Sequence, residues 1–148
     1  MIAFLHFLCI PLAIVYGQVT EWVVHKYVLH GLGKNKHSLW SSHWHGHHKT
    51  CRKNNNLDKD YLESIFGESS RKEITGLIIL NLFHLPFLFF VPLFNLGLVA
   101  HSVRYYYLHR KSHLDVEWGK KNLPWHYDHH MGKKHDANWG VTTDWVDE

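Results

Sequence analysis

The sequence predicts an all-α fold: an integral-membrane helical domain with about three membrane-crossing helices, one anchor plus a hairpin, and a cytosolic histidine-rich cap of short helices. Three observations point there. Residues 1–20 and 74–103 contain no Lys, Arg, Asp or Glu, so all 16 basic and 13 acidic residues fall in 21–73 or 104–148. The uncharged stretches match the roughly 20 apolar residues that carry a helix across a bilayer. Histidine accounts for 16 of the 148 residues, and ten of these form four clusters that follow the apolar stretches. By length, residues 1–148 form one domain.

The first helix is expected over 2–30, ending at Gly31 and Gly33, residues suited to helix C-termini. Residues 1–20 lack a basic leader and a small-x-small cleavage motif, so the segment is read as a retained anchor and not a signal peptide. Ser38 or Ser41 is expected to cap a second helix running from Trp40 through His48. Residues 51–70 are polar and Asn-rich and read as a surface loop, with a short helical turn at 61–66.

The stretch 74–103 is long for one crossing at ~1.5 Å per residue. Pro86, Pro92 and Asn95-Leu96-Gly97 interrupt it, which suggests a hairpin with its tip near 91–97; the alternative is one tilted, kinked helix. A hairpin returns His109 and His113 to the side occupied by His25 through His48. Its second helix should continue past Tyr105-Tyr106-Tyr107 to His113. After a connection over 115–123, Pro124 suits the start of a last helix carrying His126 to His130. Residues 132–148 read as loop.

Both polar blocks are basic, so the positive-inside rule places them in the cytosol, at a bacterial inner membrane or the endoplasmic reticulum. A net charge of +3 suits an anionic leaflet. No basic stripe stands apart from the membrane junctions, which argues against nucleic acid as a partner. Cys9 and Cys51 make no disulfide framework and read as bystanders.

Neutral imidazole is the commonest transition-metal ligand. A lone H-x3-H pair means little, but four clusters in one short chain point to a metal centre. His109 and His113 are four apart and share a helical face, as do His43 and His47. His126, His129 and His130 stand at i, i+3 and i+4. His48 is turned by roughly 100° from His47 and reaches towards a second metal. His25 and His30 diverge by roughly 140° on a regular helix, so they serve different metals unless a helix end brings them together. Ten ligands exceed what one ion accepts, so two metals are expected, with iron, zinc and copper all compatible with nitrogen ligands. The remaining histidines, His6, His37, His45, His84, His101 and His135, read first as packed or exposed residues, with His101 also near enough in register to His109 to approach the centre. Glu21, four residues before His25, reads as a supporting carboxylate, and no Glu-x-x-His motif of ferritin-like bundles occurs.

The pattern resembles the integral-membrane fatty acid hydroxylase superfamily, which includes sterol oxidases and desaturases, fatty acid hydroxylases and carotenoid hydroxylases. The run from Glu21 to Gly31, the His43–His48 cluster, His109-x3-His113, and Pro124-Trp125-His126-Tyr127-Asp128-His129-His130-Met131-Gly132 followed by Asn138-Trp139-Gly140-Val141 carry the resemblance across the chain. The family's second box is commonly H-x2-HH, where this chain has Trp44. His43 is therefore assigned through H-x3-HH spacing, with His45 as its rival. Relatives usually continue beyond Trp145-Val146-Asp147, so the chain is expected to be short for the family.

The resemblance implies a non-haem di-iron centre that binds two iron ions, with zinc as a substitute in purified protein. It implies an O2-dependent lipid hydroxylase, a monooxygenase acting on a fatty acyl, sterol or carotenoid C–H bond. Electrons would come from a cytochrome b5, ferredoxin or reductase-type donor. The implied metal ligands are His25, His30, His43, His47, His48, His109, His113, His126, His129 and His130. Glu21, His45, His101, Asp128 and Asn138 are candidates to support them, with Asp115 and Asp136 also nearby. Trp22, Trp40, Trp44, Trp125 and Trp139 would wall a dry cavity or anchor at the interface. A desaturase on the same scaffold and a non-catalytic membrane metal-binding protein are the competing readings.

Overall fold

The computed structural model describes the backbone of residues 2–63, 65 and 67–147 and the side chains of all of these except 2–7 and 69. His6 lies outside the described side chains. The described residues form helices and loops, without strands.

α1 (Ile2–Val23) runs without interruption into a π-helical segment, Val24–Leu32, and Gly33 closes it with its amide on the Val28 carbonyl. The next helical stretch contains a second π-helical segment, His43–His48, followed by α2 (Lys49–Lys53). No serine hydroxyl caps it: Ser38 Oγ instead accepts the Trp40 amide at 3.2 Å, in the turn before the helix. After α2 the chain reverses through Asn55 and Asn56, both in the left-handed region (φ 53 and 70). Asparagine tolerates that conformation better than most side chains. Asp58 accepts the Asp60 amide and starts a short 3-10 turn, Lys59–Tyr61, so the turn expected at 61–66 begins earlier; Ser64 and Phe66 lie outside the described residues.

α3 (Glu68–Phe83), a 3-10 turn (Leu85–Phe89) and α4 (Pro92–Leu114) form the hairpin. Its tip occupies residues 84–91 and not 91–97. Pro92 is the first residue of α4, where a missing N–H and a fixed φ fit the helix start. Asn95 and Gly97 therefore lie within α4, and Gly97 has a packing role. A Cβ there would come within 2.7 Å of the Ala13 Cβ, and one at Gly17 would meet His101 Cδ2 at 2.4 Å. Small residues let α1 and α4 approach closely, as in membrane helix pairs. The break signal in the sequence was a contact signal.

Asp115 caps α5 (Val116–Asn122) through the Trp118 amide, and Pro124 opens α6 (Pro124–Met131). Residues 132–147 then return as an irregular strap across α1.

Polarity is inverted relative to a water-soluble domain. His48, His113, His126, His129 and His130 are fully buried, while Val19, Ile79, Phe83, Phe89, Phe90 and Val103 are exposed on the helices and the hairpin tip. Large exposed apolar areas mark a membrane or a partner. Leu8–Leu32 is long and apolar enough to cross a membrane, with a mean hydropathy of 1.3. The expected count of about three crossing helices is not supported on the same grounds: α3 has 16 residues, and Arg104, Arg110 and Lys111 occupy the second half of α4.

Candidate metal centre

The four clusters converge as two adjoining groups. One ring nitrogen each from His25, His30, His43 and His48 lie within 4.8 Å of one another, and the same holds for His47, His109, His113 and His130. His129 adjoins the first group, its Nε2 3.1 Å from that of His30. His126 adjoins the second, its Nε2 3.2 Å from that of His113. All ten clustered histidines are thus brought together, five to a group.

Local helix type decides the partition. A π-helix bonds i to i+5, so residues five apart lie one turn apart. His25 and His30 have ring centroids 4.9 Å apart, and His43 and His48 are 4.8 Å apart. The divergence expected for His25 and His30 on a regular helix is therefore absent. His43 shares a group with His48 and not, as expected from i, i+4 spacing, with His47, which faces the second group. On the α-helices the i, i+4 pairs hold: His109 with His113 at 4.8 Å and His126 with His130 at 4.7 Å. His129, one residue before His130 and so turned by about 100°, crosses to the first group.

Outer hydrogen bonds fix several tautomers. A carbonyl or carboxylate oxygen only accepts, so the ring nitrogen facing it must donate. His25 Nδ1 donates to the Trp139 carbonyl and His129 Nδ1 to that of Ala137, both at 2.6 Å. His113 Nδ1 donates to the Asn56 carbonyl at 2.9 Å. His47 Nδ1 faces Asp58 at 2.8 Å and His109 Nδ1 faces Glu73 at 2.7 Å. A neutral ring holding its proton on Nδ1 presents a lone pair at Nε2. Inside, the Nε2 atoms of His25 and His43, and of His30 and His48, are 3.0 Å apart, and those of His43 and His48 are 3.2 Å apart. The Nε2 atoms of His47, His109 and His130 are buried without a hydrogen-bond partner among the described residues. Each group could hold a metal ion, since its imidazole nitrogens converge within reach of a single cation.

Electrostatics favours the ligand form. Burial, reinforced by neighbouring histidines, pushes His43, His48, His126 and His130 well below the ordinary imidazole range. Burial likewise lowers His129 to about 4 against the pull of its carbonyl partner. His47 differs. Burial opposes its charging, but the Cys51 sulfur and the Asp58 carboxylate outweigh this and raise it to about 10. A metal at His47 Nε2 would replace a proton while leaving the Nδ1–H bond to Asp58 intact.

Several expected supporters are placed elsewhere. His45 Nε2 faces the Lys34 carbonyl at 3.0 Å, and it is His43 that faces His25. Asp128 is exposed, and neither it nor Asn138, at φ 58, hydrogen-bonds a histidine. Asp115 caps α5, and Asp136 pairs with Lys34, 3.9 Å from His30 Nδ1. Glu21 and His101 pair with each other at 3.1 Å. The other Glu21 oxygen accepts the Val141 and Thr142 amides at 2.8 Å, so it secures the strap whose carbonyls orient His25 and His129.

The residues that do touch the rings include some that sequence reasoning missed. Asp58, Glu73 and the Asn56, Ala137 and Trp139 carbonyls accept from clustered histidines, while Tyr61 donates to Glu73 at 2.7 Å. Cys51 is no bystander: it is buried with Sγ 3.4 Å from His113 Nδ1 and 3.8 Å from that of His47. Glu73 left a trace in the sequence, as the last charge before an apolar stretch, just as Glu21 is the first after one. Of the tryptophans, Trp139 packs on His25, His30 and His129, whereas Trp125 and Trp22 donate to Val141 O and Asp147 in the strap. Set against known families and proteins, the chain matches no family model, no curated protein and no solved structure.

Proposed function

We propose that this chain is a membrane-anchored, non-haem dimetal oxygenase that hydroxylates a C–H bond of a lipid. The observation that carries the reading is the pair of buried all-nitrogen ligand groups, five histidines each, under helices whose outer faces are apolar. The choice of iron and of hydroxylation follows the family resemblance. Two iron ions, when bound, would supply the reduction of O2 and the oxidising power needed for an unactivated carbon.

The chain's own residues would do the rest. His25, His30, His43, His48 and His129 would hold one ion, and His47, His109, His113, His126 and His130 would hold the other. Burial keeps most of these rings neutral and excludes water that would divert the chemistry. Asp58, Glu73 and three backbone carbonyls hold the rings in their ligating orientation. α1 would cross the membrane with the hairpin tip embedded beside it, and the basic blocks would face the cytosol. A lipid chain would then approach from the hydrocarbon side, along the exposed apolar faces of α1 and α4.

The test is anaerobic purification with metal analysis, followed by reduction, O2 addition and mass spectrometry of added lipids. Iron in both groups and a product heavier by one oxygen atom is the expected result. A product lighter by two hydrogens would make the chain a desaturase. Metal that never reacts with O2 in the reduced protein would overturn the enzymatic reading and leave a metal-binding protein.

A further inference from the structure

Beside the centre, the second π-helical segment and α2 form an open recess of about 450 Å³ lined by Trp44, His45, Lys49, Arg52 and Lys53. Its chemistry is one-sided. None of its lining residues is a carboxylate, and the Arg52 guanidinium lies over the Trp44 ring at 5.2 Å; the Lys34 ammonium approaches the same ring at 5.0 Å but is paired with Asp136 at 2.7 Å. Arg52 Nη2 is buried without a hydrogen-bond partner among the described residues, while its Nε donates to the His130 carbonyl at 3.4 Å. Lys49 and Lys53 are exposed.

The floor of this basic recess continues into the ligand cluster. Trp44 is half-buried, and its ring centroid is 4.9 Å from that of His30 and 5.5 Å from that of His48. The indole expected to wall a lipid cavity thus faces a cationic surface on one side and two candidate ligands on the other.

We propose that this recess is the electron-entry site, where an acidic one-electron redox protein docks over Lys49, Arg52 and Lys53 and delivers electrons past Trp44 to the centre at His30 and His48. The proposal rests on the oxygenase reading, which requires two electrons and two protons for each O2 consumed, one oxygen atom entering the lipid and the other leaving as water. In each delivery the donor is oxidised by one electron and the centre reduced by one, with no bond made or broken. A centre shielded from solvent needs such a contact. Redox encounters use small, charge-steered interfaces, and the cationic side chains of Lys49, Arg52 and Lys53 steer an anionic protein.

The experiment uses the full chain in neutral phosphatidylcholine nanodiscs with the soluble domain of a cytochrome b5 or a plant-type ferredoxin as probe. With the redox-inert, zinc-loaded chain, binding should weaken at least about tenfold between about 50 and about 500 mM salt. The double variant K49E/K53E should bind about tenfold more weakly at low salt, and K120E/K121E, with the same charge change on α5, should bind like the parent. With the iron-loaded chain, W44L should slow probe-driven reduction about tenfold, W44F less, while reduction by dithionite stays unchanged. Undiminished probe binding by K49E/K53E would overturn the proposal. So would loss of binding by that variant only to phosphatidylserine vesicles, which would make the recess a lipid-headgroup site. A parent chain that dithionite cannot reduce would sink the oxygenase reading, and the salt and charge dependence of the zinc-loaded chain would still decide the docking surface.

Discussion

The two ligand groups are built by different means from the same side chain. The first takes His25 and His30, and His43 and His48, from π-helical turns, and its outer nitrogens are oriented by backbone carbonyls of the strap. The second takes His109 and His113, and His126 and His130, from ordinary α-helices, adds His47 from the π-helical segment, and leans on buried Asp58 and half-buried Glu73. Carboxylate partners place negative charge beside the rings and make them stronger donors to a cation; carbonyl partners fix orientation with less charge. The second group should therefore bind the more tightly, and the first should depend more on the fold of distant segments.

Removing a ligand breaks the comparison most directly. His30→Ala should empty the first group and His109→Ala the second, each lowering bound metal by about one ion per chain in elemental analysis. If either variant loses both ions, the groups do not act separately. Next in size is a change of helical register. Deleting Gly46 would convert the five-residue spacing of His43 and His48 to four and turn His43 out of its group by roughly 100°. The first group should then lose metal while the second retains it, read by metal titration of each variant.

A smaller effect is expected from the outer partners. Glu73→Gln and Asp58→Asn should each weaken metal affinity at the second group about 10–100-fold and leave the first unchanged, as measured by competition with a chelator. A loss at both groups would mean that these carboxylates support the fold as a whole.

Acidity separates individual rings as well. His129 has a folded pKa of about 4, below the ordinary value of 6.5. Above pH 6.5 its ring is neutral whether folded or unfolded. As the pH falls from 6.5 to about 4 the unfolded chain takes up a proton that the folded chain refuses, so stability is lost, on the order of 3 kcal/mol from this ring. His47 runs the other way: raised to about 10, it contributes stability that is complete below 6.5 and lost as the pH rises through 10. Denaturant melts of the metal-free chain across pH should reveal both limbs, and Asp58→Asn should flatten the alkaline one. The smallest expected change is Gly46→Ala. A Cβ there meets nothing, so relieving a helical glycine should stabilise the chain by about 0.5–1 kcal/mol without altering metal content.

These contrasts also explain what the sequence could disclose. The long first helix ending at Gly33, Pro124 as a helix start and the ten clustered histidines follow from charge segregation and from the preferences of single residues. The pairing of those histidines did not, because a π-turn carries no signature in a 3.6-residue period. Its one trace was that His25–His30 and His43–His48 share the same spacing of five. Asp58 was illegible for another reason: it lies in a polar, Asn-rich loop, and only the left-handed turn at Asn55 and Asn56 brings that loop against His47 and His113. Gly97 misled, since a residue that ends helices elsewhere here admits Ala13 of a neighbouring helix.

The strap sets a sequence of events in the making of the protein. His25 is held by the carbonyl of Trp139, 114 residues later in the chain. At about 5–20 residues per second, synthesis separates the two by roughly 6–23 s. During that interval α1 has emerged, yet the partners that aim His25 and His129 do not exist. The first group cannot be completed before the chain has been translated through Trp139. An ion held in this geometry would enter only after Glu21 has captured the Val141 and Thr142 amides and the strap carbonyls are in place.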